Sequence, residues 1–183
     1  QVTQSIAQTG NVVILNAAEV ESQGIEADFQ YIATDHLSFD GSVAYIKTEY
    51  DEFGNAPCSY VLPQPGGQPP LLSPAACVRQ GAGYAQDLSG ETLDNAPEWT
   101  GNLGAEYRNN LPIAELEWFA RADAVYKDDV LLDVSLNPSS SEGSYALYSA
   151  RIGVESPDQG WRLTVWGNNL GDEEYGTYSE VDF

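Results

Sequence analysis

Two regularities constrain the fold of this chain more than any others. Its apolar and polar residues alternate in short runs, and the connections between those runs go short, long, short, long, short. Brief turns are expected at 34–36, 109–112 and 156–160, and long polar connections at 51–96 and 127–143. Alternation with period 2 puts one kind of side chain on each face of a strand. Tight turns join such strands as antiparallel neighbours. The chain therefore reads as all-β, an antiparallel meander with one apolar and one polar face.

The strands are expected at 24–33, 37–48, 99–108, 113–126, 145–155 and 161–169, with a seventh around 12–15. In the first of these, Ile25, Ala27, Phe29 and Tyr31 share a face, while Glu26, Asp28 and Gln30 take the other. In the fourth, Leu116, Trp118, Ala120, Ala122, Ala124 and Tyr126 oppose Glu115, Glu117, Arg121 and Asp123, with Phe119 breaking the polar side. Trp166 intrudes in the same way on the polar side of the last strand.

Two details go beyond a generic sheet. Tyr31, Tyr107 and Trp161 sit beside the short turns, and Tyr45 and Tyr126 lie toward the long connections. An apolar band edged by aromatics at both ends suits a bilayer and its headgroups. The opposite face carries Glu26, Asp28, Glu117, Arg121, Asp123 and Arg151 in mid-strand, which a wet or plugged lumen tolerates and a packed sandwich interior does not. A soluble sheet turning its polar face to water carries the same alternation. Membrane barrels of a single chain have about 8 strands or more. Six or seven strands cannot close one, so the sequence is expected to be a fragment of a larger barrel.

The chain has 183 residues, with 28 acidic against 7 basic, a formal charge of −21. Such a balance excludes a nucleic-acid partner, whose phosphates demand clustered Lys and Arg, and peripheral docking on anionic lipid. No apolar run approaches the roughly 20 residues of a membrane helix. Transmembrane strands, at about 10 alternating residues each, leave no such mark. Cys58 and Cys77 flank a stretch containing Pro63, Pro65, Gly66, Gly67, Pro69, Pro70 and Pro74, without zinc-like spacing. They are expected to form a disulfide across this loop, which places it on a periplasmic or extracellular face.

Specific strings then become familiar. The segment 22–27 (SQGIEA), with Asn16 upstream, resembles the "GxE" strand of TonB-dependent outer-membrane receptors. The segment 90–99 (GETLDNAPEW) resembles the family's "G…L…APxW" run into a late barrel strand. The segment 166–175 (WGNNLGDEEY) resembles its "NLxDxxY" signature before the last loop. The three occur in the family's order and together cover nearly the whole chain. The resemblance implies residues 1–183 of a partial barrel from a parent of about 22 strands with a plugged lumen. It further implies a Gram-negative outer-membrane location and import of ferric siderophores or a similar bulky nutrient, driven by the TonB complex through the plug. In the family a final loop and a closing strand ending in an aromatic follow the Tyr. Only residues 176–183 follow Tyr175 here, and Phe183 lacks an alternating strand before it. The plug and the last closing strand are therefore expected to lie outside this sequence.

No catalytic set is expected. His36 falls in a short turn beside Asp35, without a Ser or Cys nucleophile motif. Asp128 with Asp129, and Asp172 with Glu173 and Glu174, lack the spacing of a calcium loop and read as solvated charge. No cofactor or metal is expected. Residues touching ligand would lie in the long connections, where Tyr60, Arg79, Tyr84 and Asp87 are candidates by position and side-chain type. Two rivals remain: a secreted β-sandwich binding module for carbohydrate or calcium, and a porin-like barrel for passive diffusion.

Overall fold

The structure, a computed structural model, describes residues 2–8, 11–17, 19–58, 77–80, 83–112, 116–158 and 160–179, and for 2–8 and 11–17 the backbone alone. A hairpin comes first, β1 (Val2–Gln8) with β2 (Asn11–Ala17), which takes in the expected strand at 12–15. The main strands are β3 (Glu19–Ile32) and β4 (Leu37–Glu52), joined by a short turn at 33–36. The first long connection carries β5 (Ala56–Pro57), β6 (Val78–Gln80) and β7 (Gly83–Gln86). Then come β8 (Trp99–Asn110) and β9 (Glu117–Lys127). The second long connection holds β10 (Val130–Leu131), a 3₁₀ turn at Pro138–Ser140, and β11 (Ser141–Glu142). β12 (Tyr145–Glu155) and β13 (Arg162–Gly167) end the described strands.

Six strands form one antiparallel sheet in the order β13-β12-β9-β8-β4-β3, so sequence neighbours are spatial neighbours throughout. The register keeps the two faces separate. Ala27 pairs with Val43, Phe39 with Ala105, Ala105 with Ala122, Ala122 with Ala150, and Ile152 with Val165. A slip of one residue in any pair would mix apolar and ionised side chains on both faces. β3 and β13 are the free edges, so among the described residues the sheet stays open.

Among the described residues nothing packs over the apolar face. Ile25 is 75 % exposed and Val165 69 %, and Phe29, Leu103, Ile152 and Leu163 are also mainly exposed. Aromatic pairs mark its two rims. Tyr107 and Trp118 lie 5.3 Å apart near the short turns, and Tyr31 stacks on Phe39 at 6.5 Å. Tyr45 and Trp99 lie 4.8 Å apart toward the long connections. Trp118 stands opposite Asn109, so the band on β8 runs from position 99 to 109. At about 3.3 Å per residue that is about 33 Å, which a tilt near 40° reduces to about 25 Å, the height of the apolar belt of outer-membrane barrels.

The buried apolar cluster lies elsewhere. Tyr50, Phe53, Ala56, Leu88 and Leu136 form it, with Val20, Leu93, Leu131 and Val134 packed against them. It gathers the outer end of β4 and both long connections into one lobe. Two bonds tie the connections together: Asn95 N–H donates to the Leu131 carbonyl at 2.9 Å, and Gln86 Nε2 donates to the Ser135 carbonyl at 2.9 Å. Tyr50, with its ring buried, donates its hydroxyl to Asp94 at 2.8 Å.

The long connections expected at 51–96 and 127–143 thus carry short strands and a buried apolar cluster of their own. β3 begins five residues earlier than expected, at Glu19, and β4 continues to Glu52, because their outer ends pack into this lobe. Conversely β9 begins at Glu117 and β13 stops at Gly167, both inside the expected limits. Residues 113–115 and Phe183 lie outside the described residues.

Candidate functional site

The polar face of the sheet carries two groups of ion pairs, one around Arg121 and one around Arg108, Arg151 and Arg162. Arg121 on β9 reaches across β8 to Asp40 on β4. Its two terminal nitrogens donate to the two carboxylate oxygens at 2.6 and 2.8 Å, and Nε donates to Asp123 at 2.7 Å. The residue of β8 lying between is Gly104, in register with both Asp40 and Asp123. A Cβ at Gly104 would run into the Arg121 guanidinium. The fork-to-fork geometry is the stronger kind of carboxylate pair, and losing one partner would leave a shielded charge uncompensated.

A second group centres on Phe119. Its ring is 2 % exposed although it stands on the charged face. The guanidinium carbons of Arg108 and Arg162 both lie 5.2 Å from the ring centroid, within reach of cation–π attraction. Its space comes from Gly153 opposite on β12, where a Cβ would come within 2.7 Å of the ring. Arg108 donates to Glu106 at 2.6 Å, Glu117 at 2.8 Å and Glu155 at 2.7 Å, and Arg162 donates from Nε to Glu155 at 2.5 Å. The apparent break in the polar pattern at 119 is thus an apolar floor beneath two arginines.

The candidate ligand residues divide. Tyr60 lies outside the described residues. Arg79 and Tyr84 are register partners on β6 and β7, which brings their backbones side by side; Arg79 is exposed, and of Tyr84 the backbone alone is described. Asp87 is exposed just after β7, and its carboxylate accepts from the Ser89 hydroxyl at 2.5 Å and the Ser89 N–H at 3.0 Å. The Ser89 hydroxyl, then its N–H, hold the Asp87 carboxyl below its ordinary value. Cys58 and Cys77 are bonded, with Cα atoms 6.1 Å apart. They sit immediately after β5 and before β6, so the disulfide clasps the two outer strands of the small sheet β5-β7-β6.

The acidic runs do not converge. Asp128 accepts from the Tyr126 hydroxyl at 3.0 Å, and Glu173 is held through its backbone by Asn169. Asn169 and Asp172 adopt φ of 48° and 51°, the left-handed turn their side chains tolerate, which lets Tyr175 fold back onto Tyr145 at 4.6 Å. Among the described residues no group of three or more His, Cys, Asp or Glu could hold a metal ion. His36 lies in its short turn with its ring 6.0 Å from that of Tyr107.

An open sheet with aromatic rims on its apolar face and paired charges on its polar face defines the wall of a transmembrane β-barrel. The family model "TonB dependent receptor-like, beta-barrel" matches residues 1–170, and the chain belongs to that family. Among solved structures it is similar to the ferric yersiniabactin uptake receptor FyuA from Yersinia pestis, with a TM-score of 0.64 and 14 % identity. The match covers 93 % of this chain and 21 % of the receptor, so the chain spans about a fifth of that protein's length. At this identity the likeness is one of fold. No curated protein sequence matches the chain.

Proposed function

We infer that this chain supplies barrel wall and outer loops to a receptor that actively imports a ferric siderophore, or a nutrient of similar bulk, across the outer membrane of a Gram-negative bacterium. The TonB complex would energise it through a plug of the parent protein. The observation that carries this reading is the opposition of the two faces: a bare apolar belt about 25 Å high with aromatic rims, backed by a wall of paired charges. A soluble sandwich would cover the apolar face with a second sheet. The resemblance to a ferric siderophore receptor supports the ligand class. In the first long connection, Tyr60, Arg79, Tyr84 and Asp87 are proposed to face the ligand, with the disulfide fixing the strand that carries Arg79.

Uptake of radiolabelled ferric siderophores by cells with and without the parent gene tests the reading. Uptake should disappear with the gene and also when an uncoupler collapses the proton gradient. Uptake that persists under the uncoupler would favour a passive, porin-like barrel.

A further inference from the structure

In a chain of formal charge −21, one concavity carries more positive than negative side chains. It is an open recess of about 420 Å³ on the charged face, spanning β8, β9, β12 and β13. Its charged lining is Arg108, Arg151 and Arg162 against Glu106 and Asp123. Arg108 and Arg162 are both engaged by Glu155, Arg108 also holds Glu106 at 2.6 Å, and Asp123 is held by Arg121.

Arg151 is different. Its one ion pair among the described residues is with Glu106 at 3.7 Å, beyond hydrogen-bond range, and its side chain is 49 % exposed. The residue directly opposite it on β9 is Arg121, a like charge, so its nearest carboxylate is that of Glu106 on β8. The residue opposite on β13 is Trp166, 68 % exposed and lining the same recess.

A guanidinium whose ion pair among the described residues is as long as 3.7 Å, beside an exposed indole, has a defined complement. The fork of Arg matches a carboxylate through two parallel bonds, and the face of Trp takes a flat ring. Ser149 and Asn168 on the same lining offer further hydrogen bonds. The geometry points to a subsite on the barrel wall, formed by Arg151 and Trp166, that binds small planar ligands bearing a carboxylate. It rests on the reading of this face as the wall of a lumen through which ligand passes, and it narrows the nutrient to one carrying an acidic group.

Titration of the detergent-solubilised parent receptor with benzoate, followed by indole fluorescence and calorimetry, tests it. Benzamide, flat but uncharged, is the control. Saturable benzoate binding is expected, with benzamide bound at least about tenfold more weakly, since a hydrogen bond to a charged group is worth that factor or more. Arg151→Gln should weaken benzoate by a similar factor, Arg151→Lys should restore part of it, and Trp166→Ala should weaken benzoate while leaving the heat-modifiable gel shift of the folded barrel intact. Equal binding of benzamide, benzoate binding unchanged in Arg151→Gln, or no saturable binding would each overturn the subsite. Benzoate binding that follows these expectations, in a receptor whose deletion leaves ferric-siderophore uptake unchanged, would instead count against the reading of the chain as an importer and leave the subsite standing.

Discussion

Gly153 and Phe119 show how single residues organise the charged wall. The ring at 119 fits because position 153 has no side chain, and two guanidiniums close over it. In Gly153→Ala the added carbon would meet both the Leu163 carbonyl oxygen and the Phe119 ring. Overpacking of this kind costs about 1–3 kcal/mol. Urea unfolding of the parent barrel should show that loss, and a Gly153→Ala, Phe119→Leu double variant should recover part of it. Equal losses in the single and double variants would remove the ring from the explanation. Asp87 permits a test by pH. With its carboxyl held below the ordinary value of 3.8 by Ser89, its contribution to the loop is complete above that value and is lost as pH falls through the depressed one. Carboxyl NMR should find Asp87 titrating low, and Ser89→Ala should move it back toward 3.8. The sequence alone marks Phe119 and Trp166 as breaks in alternation, but it does not pair them with Gly153 and Arg151. Those pairings depend on strand register, which one strand's pattern does not contain.

At the level of elements, the short turn after β3 and the cores of all six sheet strands were legible because period 2 leaves a mark in every strand, whereas β8 runs on to Asn110, into the turn expected at 109–112. The lobe was not legible. Tyr50, Phe53, Leu88 and Leu136 come from distant stretches with no common period, and each stretch taken alone reads as polar connection. The disulfide was legible from composition, whereas its place as a clasp across β5 and β6 needed the small sheet. Closing a loop with a sequence separation of 19 contributes about 3 kcal/mol by chain entropy. A Cys58→Ser, Cys77→Ser variant should therefore be cleaved faster by added protease within the first long connection, while the membrane-protected strands keep their urea midpoint. Unchanged cleavage would mean that the packing around Tyr50 holds the lobe without the clasp.

For the whole molecule, stability does not come from a core under the sheet, since among the described residues none packs over its apolar face. Bilayer on one side and a wet, ion-paired interior on the other account for the two faces, and they explain why only Ala, Leu, Ile, Val and aromatic side chains face outward along the middle of β9, β12 and β13. The most direct test places single spin labels in turn at 148–155 along β12 in the parent protein reconstituted in a bilayer. Power saturation then compares access of dissolved oxygen, which concentrates in lipid, with access of a water-soluble nickel complex. Labels at Tyr148, Ala150, Ile152 and Val154 should favour oxygen, and those at Ser149, Arg151, Gly153 and Glu155 should favour nickel. Nickel access at all eight positions, with no period of two, would contradict a transmembrane wall.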